Sequence, residues 1–87
     1  MRRMIIPRDQ VAEHFAITPA LLADAMRLAN VHALRAYDAV QLAAALEVNG
    51  RYQAAGAGGI TLVSADQDLN AAASAEGIAV DDPNTHP

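Results

Sequence analysis

The C-terminal part of the chain alternates between strand and helix patterns within a short distance. Residues 60–65 form an apolar, β-branched run typical of a buried strand, and residues 66–76 have a helical pattern that Gly77 ends. Residues 78–80 form a second short apolar run. A strand, a helix and a strand joined this closely imply two parallel strands with a right-handed crossover. The predicted fold class is therefore α/β, with a C-terminal βαβ unit.

Two helices are predicted upstream of this unit. Thr18 can act as the N-cap of the first helix, with Pro19 at its first helical position and a helical apolar pattern up to Asn30. The second helix spans residues 35–48, and the Asn-Gly pair at residues 49–50 is a suitable stop. Both helices are expected to flank the sheet.

Three shorter segments complete the predicted architecture. Residues 7–12 suggest a short helix, residues 14–17 suggest a brief strand, and the glycine-rich residues 54–59 suggest a loop. The expected fold is a short parallel sheet with flanking helices in a single domain.

The size of the chain limits the core that it can bury. It has 87 residues, of which 53% are apolar, but these are mainly alanine and include one Phe and no Trp. One domain with one modest core is the most that this length allows. Because such a core gives marginal stability, we expect self-association into a homo-oligomer.

Several classes of protein are disfavoured by composition. The absence of Cys excludes disulfides, thiolate metal sites and a Cys nucleophile. No apolar run could span a bilayer and no signal-peptide pattern is present, so we expect a cytoplasmic protein without a membrane partner. A net charge of −4 disfavours strong non-specific nucleic-acid binding. All basic residues are Arg, which serve either as ordinary surface charges or as a local phosphate-binding patch.

Three acidic residues are candidates for a metal site. Asp38 lies in the first turn of the second predicted helix, Asp66 lies where a strand ends and a helix begins, and Asp68 follows two residues later. Ligands of parallel sheets collect beyond the carboxyl ends of the strands, and carboxylates clustered there suit Mg²⁺ or Mn²⁺. A structural alternative stays open, in which Asp66 is simply an N-cap and Asp38 a first-turn acid. The three histidines have no metal-ligand spacing, and each is expected to be structural or solvated. They are His14, His32 and His86.

Four segments carry a family resemblance. Residues 34–45 read LRAYDAVQLAAA, residues 62–69 read LVSADQDL, residues 77–83 read GIAVDDP, and residues 16–21 read AITPAL. The first closely resembles a signature helix of PIN domains. Residues 62–69 resemble the family's strand-end segment, and residues 77–83 resemble its closing strand. Residues 16–21 resemble the short strand and helix that precede the signature helix. The resemblance covers residues 7–83, and the chain is similar to the C-terminal part of a PIN-domain ribonuclease of the VapC toxin type.

The resemblance implies a function. PIN domains are metal-dependent endoribonucleases, and many are toxins that a cognate antitoxin holds inactive. It therefore implies RNA as substrate, Mg²⁺ or Mn²⁺ as cofactor and an antitoxin protein as partner. Asp38 and Asp66 would be catalytic and metal-binding acids, with Asp68 as a further metal-site residue. Arg35 and Tyr37 would support the site or contact RNA.

The chain also departs from the family pattern. A PIN domain opens with a strand that carries an Asp, followed by helices that supply a Glu, and residues 1–6 are too short for these elements. Asp9 and Glu13 match no motif position. We therefore expect residues 1–87 to be a single incomplete PIN-like domain, weakly active or inactive alone. Its sheet should have an open edge, which a second copy could cover.

Two alternatives remain beside the enzyme. The first is a non-catalytic PIN remnant that dimerises or binds an antitoxin-like helix through alanine-rich grooves. The second is a small α/β domain of unrelated function that converges on the same sequence motifs.

Overall fold

The chain forms a small α/β fold. The computed structural model describes residues 4–7, 10 and 18–85. In chain order the elements are β1 (Met4–Pro7), α1 (Pro19–His32), α2 (Ala36–Ala54), β2 (Ile60–Val63), α3 (Gln67–Ala75) and β3 (Ala79–Asp81), followed by a 3-10 turn at Pro83–Thr85. The predicted strand at residues 14–17 lies outside the described residues, as do Asp9, Glu13, His14 and His86.

The sheet has the strand order β1-β2-β3, and both pairings are parallel. Pro7 pairs with Val63, and Val63 pairs with Asp81. The carboxyl ends of the three strands therefore lie at one edge of the sheet. The predicted parallel βαβ unit is confirmed as β2, α3 and β3.

The N-terminal strand is the main departure from the sequence prediction. The predicted helix start at Pro7 is wrong, because Pro7 is the last residue of β1. Ile5 and Ile6 are β-branched and favour a strand, and a proline without an N–H group is tolerated at a strand end. Because β1 pairs with β2, the strand β2 is flanked on both sides. Among the residues that the structure describes, β1 and β3 are the outer strands of the sheet.

Helix α1 begins as predicted. The Thr18 side chain accepts a hydrogen bond from the Leu21 amide at 3.1 Å, and Pro19 is the first helical residue. The helix continues to His32, past the predicted end at Asn30. It ends at Ala33, whose φ of 54° is in the left-handed region that ends many helices.

Helix α2 is longer than predicted. It runs through residues 49–50 and ends at Ala54, so the predicted Asn-Gly stop is wrong. Asn49 is only 7% exposed, and its Oδ1 atom accepts a hydrogen bond from the Ile60 amide at 2.8 Å. The Asn49 side chain thus connects α2 to the start of β2, and the helix continues past this residue. The loop predicted at residues 54–59 is observed after Ala54.

The core lies between the sheet and the helices. Its largest fully buried side chains are Leu28, Leu42, Ile60, Leu62 and Leu69. Burial of one such side chain stabilises the fold by roughly 1.5–3 kcal/mol. The consecutive alanines at residues 43–45 are exposed by 1% or less, and their small size allows α2 to approach its neighbours closely. In the described part of the chain, no helix has the length and apolarity needed to cross a membrane.

Candidate functional site

A polar cavity of about 250 Å³ lies between the N-terminal ends of α2 and α3. We call it the acidic cavity. Its lining residues are Ala33, Leu34, Arg35, Asp38, Asp66 and Asp68. The structure therefore places all three sequence-predicted acids, which come from two separate segments, around one space. The cavity lies just beyond the carboxyl end of β2, where ligands of parallel sheets bind.

Two hydrogen bonds hold Asp66 at the start of α3, and a third joins α3 to the backbone of Ser64. The Asp66 amide donates to the Ser64 hydroxyl oxygen at 3.1 Å, and Ser64 is only 3% exposed. The Asp66 Oδ1 atom accepts from the Leu69 amide at 3.0 Å, which makes Asp66 the N-cap of α3. The Asn70 side chain, one turn along α3, donates to the Ser64 carbonyl oxygen at 2.8 Å. The predicted capping role is confirmed, and it fixes the position of one carboxylate at the cavity.

Asp38 enters the cavity from α2. It is half-buried in the first turn of that helix, where the unpaired N–H groups favour a negative charge. The N-cap residue of α2 is Arg35, which makes no side-chain capping hydrogen bond within the described residues. Asp38 therefore lies within the first turn of its helix, whereas Asp66 caps its own helix.

Arg35 and Asp68 are exposed at the cavity. Three carboxylates and one guanidinium line it, so its formal charge is negative, which favours a cation. The guanidinium beside the acids provides a group that can bind phosphate in a bidentate way. Tyr37, which the resemblance also implied, is 64% exposed and does not line the cavity.

The acids do not form a closed metal cage. Among the described residues, no group of three or more Asp, Glu, His or Cys side chains is arranged to hold a metal ion. Mg²⁺ usually keeps several waters and is bound through one or two carboxylates together with substrate phosphates. The oxygen donors of the acidic cavity fit that type of site in their chemistry and their charge.

Two amide side chains with buried oxygen atoms lie one helical turn beyond the acids, and neither was predicted from the sequence. Gln41 on α2 is 3% exposed, and its Oε1 atom has no hydrogen-bond partner among the described residues. The Oδ1 atom of Asn70 on α3 is likewise buried and unpartnered there. A polar residue inside the alanine-rich face of residues 39–45 was the signal that could have indicated Gln41.

His32 belongs to a different region, in which α1 meets the end of α3. Its Nε2 atom lies 2.8 Å from Glu76 Oε2, and Arg27 lies 3.6 Å from the other Glu76 oxygen. Arg27 also pairs with Asp24 at 2.9 Å. The hydrogen bond with His32 lowers the pKa of Glu76 below its usual value, helped by the charge of Arg27 and opposed by partial burial. His32, for which a structural or a solvated position was expected, thus makes a structural contact with Glu76.

Comparison of the chain with protein-family models, with curated proteins and with solved structures finds no match. Any functional assignment therefore depends on the acidic cavity and on the sequence motifs that form it.

Proposed function

We propose that the chain is a PIN-like protein related to the VapC-type, Mg²⁺- or Mn²⁺-dependent endoribonucleases. The observation that carries this proposal is the acidic cavity, in which Asp38, Asp66 and Asp68 come together at the carboxyl edge of a parallel sheet. Two of the motifs that resemble the family, at residues 34–45 and 62–69, contribute these acids. Residues that act on one ligand must lie around one space, and these three acids line the same cavity.

Each charged residue that lines the cavity has a specific role in this proposal. Asp38 and Asp66 would hold the divalent ion, with Asp68 as an exposed further oxygen ligand. Arg35 would bind a phosphate of the RNA backbone and so orient the scissile bond beside the acids. When bound, the ion would supply an activated water and neutralise charge on a phosphodiester oxygen. The capping bond of Asp66 keeps its carboxylate in place before a ligand arrives.

Weak activity is expected from this arrangement. Asp68 is exposed, and the lining carboxylates are not gathered into a closed metal-binding group in the described residues. Substrate phosphate would therefore have to complete the coordination, so the affinity for metal in the absence of RNA should be low.

Cleavage of a mixed single-stranded RNA with Mn²⁺ tests the proposal. The wild-type chain should cleave, and EDTA or Asp38→Asn should abolish the cleavage. The matched control is Asp24→Asn, because Asp24 is a helix-surface acid of α1 that pairs with Arg27 away from the cavity. Equal cleavage by wild type and Asp38→Asn would contradict the proposal, since the activity would not come from this cavity.

A second observation favours a non-catalytic alternative. An apolar groove between α1 and α2 is lined by Leu22, Ala25, Met26, Ala29, Ala36, Ala39 and Val40. Its rim is unusually apolar for a surface, because Met26 is 68% exposed and Leu22 is 46% exposed. In this alternative, the chain is a PIN-like binding module that forms a homodimer through the groove, or binds an antitoxin helix there.

Sedimentation distinguishes the two candidates. The binding module predicts a dimer at micromolar concentration that Met26→Lys disrupts, together with no response to Mn²⁺. Ala23→Lys is the matched control, because Ala23 is exposed on α1 but does not line the groove. A monomeric wild-type chain would count against the homodimer. A mixture of the chain with a candidate antitoxin would then test the remaining form of this alternative.

A further inference from the structure

We propose that His32 and Glu76 form a proton-controlled latch that fastens one wall of the acidic cavity to the C-terminal end of α3. This wall is the short connection at residues 33–35, which joins α1 to α2 and lines the cavity. His32 is the last residue of α1 and directly precedes the connection. A latch at this point acts on the cavity wall whether or not the cavity binds a metal ion.

The contact between the two side chains is close and partly shielded from water. His32 Nε2 lies 2.8 Å from Glu76 Oε2, although the two residues are 44 positions apart in the chain. The side chains are only 16% and 21% exposed. Solvent and salt screen a charge pair in such a position less than a pair on the open surface. The contact therefore ties the end of α1 to the end of α3.

Three charged groups surround His32. Glu76 comes from the end of α3, and Asp24 and Arg27 come from α1. Arg27 lies 3.6 Å from Glu76 and 2.9 Å from Asp24. Among the described residues, no side chain of α2 or of the sheet forms an ion pair or a side-chain hydrogen bond with these four groups. The cluster has one excess negative charge when His32 is neutral, and it is balanced when His32 is protonated.

The charge of His32 is the variable part of the latch. Histidine is the side chain that commonly changes its charge between about pH 5 and 8. A neutral imidazole donates a hydrogen bond to the Glu76 carboxylate, whereas a protonated imidazole adds an ion pair. The C-terminal end of α1 favours the same positive charge through its carbonyl groups. The latch should therefore tighten as the pH falls from about 8 to about 5.5.

Glu76 supplies the constant negative charge. The hydrogen bond with His32 is the main reason that the pKa of Glu76 lies below its ordinary value of 4.5, and partial burial opposes this effect. The charge of Arg27 lowers the pKa further. The carboxylate thus stays ionised over the range in which a histidine changes its charge. As the pH falls further, through the lowered pKa of Glu76, the carboxylate is neutralised and the ion pair is lost.

The backbone beside His32 reports on the state of the latch. The amides of Ala33 and Leu34 both donate to the Ala29 carbonyl oxygen and so close the last turn of α1. These hydrogen bonds break when that turn opens, and the amides then exchange with solvent. Because residues 33–35 line the acidic cavity, opening of the turn also displaces the cavity wall.

Hydrogen exchange of the full chain, measured for each amide by NMR and corrected for the intrinsic effect of pH, tests the latch. In the wild type, the Ala33 and Leu34 amides should be protected about 2- to 5-fold more strongly at about pH 5.5 than at about pH 8, as a partly shielded ion pair would produce. The amide of Ala55, which donates to Arg51 at the far end of α2, should show no such change.

Two variants fix the latch in one state. His32→Gln retains a side chain that can form hydrogen bonds but does not titrate in this range, so the protection should be low at both pH values. His32→Arg carries a permanent charge, so the protection should be high at both. Glu47→Gln removes the exposed ion pair between Glu47 and Arg51 on α2, and this matched control should retain the wild-type response.

Three results would overturn the proposal. The first is equal protection of the wild-type amides at the two pH values, and this comparison needs no substitution, so it stands even if a variant folds poorly. The second is a pH response that persists in His32→Gln, because another group would then control the turn. The third is a His32→Arg variant that is no better protected than His32→Gln at about pH 8.

Discussion

The starts of α2 and α3 face the same cavity but are built differently. At α3, Asp66 both lines the cavity and caps the helix through the Leu69 amide. At α2, the N-cap is Arg35 without a side-chain capping bond, and Asp38 sits inside the first turn. Asp66 therefore serves the fold and the site together as the cap of α3, whereas the cap position of α2 is taken by Arg35 and not by its acid. Substitutions at the two positions should separate stability from metal binding.

The largest effect on stability is expected at Asp66. Asp66→Ala removes the capping acceptor and should lower the free energy of unfolding by about 0.5–2 kcal/mol. Asp66→Asn should recover most of that loss, because Asn is a good N-cap residue. Both variants should lose Mn²⁺ binding. Urea denaturation measures the stability, and equal stability of the Ala and Asn variants would show that the cap contributes little.

A smaller effect on stability is expected at Asp38. Asp38→Asn removes a charge that the helix N-terminus favours, which costs about 0.3–1 kcal/mol. Its Mn²⁺ affinity should nevertheless fall as far as that of Asp66→Asn. Denaturation and calorimetry on the same samples give both quantities. A stability loss larger than that of Asp66→Ala would reverse the comparison between the two helix starts.

At the C-terminal end of α3, Glu76 should contribute to stability in a pH-dependent way. Because the folded state lowers the pKa of Glu76, its stabilising contribution is present above its ordinary pKa of 4.5 and is lost as pH falls through the lower, folded value. Glu76→Gln should therefore reduce the unfolding free energy at neutral pH, by less than about 1 kcal/mol. The difference from wild type should disappear in acid. Denaturation across this pH range provides the check, and a difference that grows in acid would contradict the assignment.

The smallest effect on stability is expected at Arg35. Arg35→Gln should change the unfolding free energy by no more than about 0.5 kcal/mol, because the side chain is exposed and makes no capping bond. Binding of RNA in the presence of Mn²⁺ should weaken and become less sensitive to salt. Fluorescence anisotropy over a salt series measures this. An unchanged salt dependence would remove Arg35 from the phosphate-binding role.

Local signals made part of the fold predictable. Thr18 and Pro19 specify the start of α1, because an N-cap and a first-turn proline act only on residues close in sequence. The apolar runs on both sides of α3 specify the βαβ unit. The end of α2 was not predictable, because Asn49 is occupied by a hydrogen bond to Ile60, and that contact exists only after the fold forms. β1 was hidden by its short length and by a proline that equally suits a helix start.

The candidate site was predictable to a similar extent. The position of Asp66 after a strand and the motif around Asp38 indicated residues that the structure places around one cavity. Gln41 and Asn70 could not be recognised in this way, because an amide inside a helix pattern resembles a surface residue until its burial is known.

Calorimetric titration with Mn²⁺ of the wild type, Asp38→Asn, Asp66→Asn and the Asp24→Asn control is the most direct measurement of the central claim. If Asp38 and Asp66 form one cation site, either substitution should abolish most of the binding, the double variant should be no worse than either single one, and Asp24→Asn should match the wild type. Unchanged Mn²⁺ affinity in Asp38→Asn would contradict a shared site in the acidic cavity.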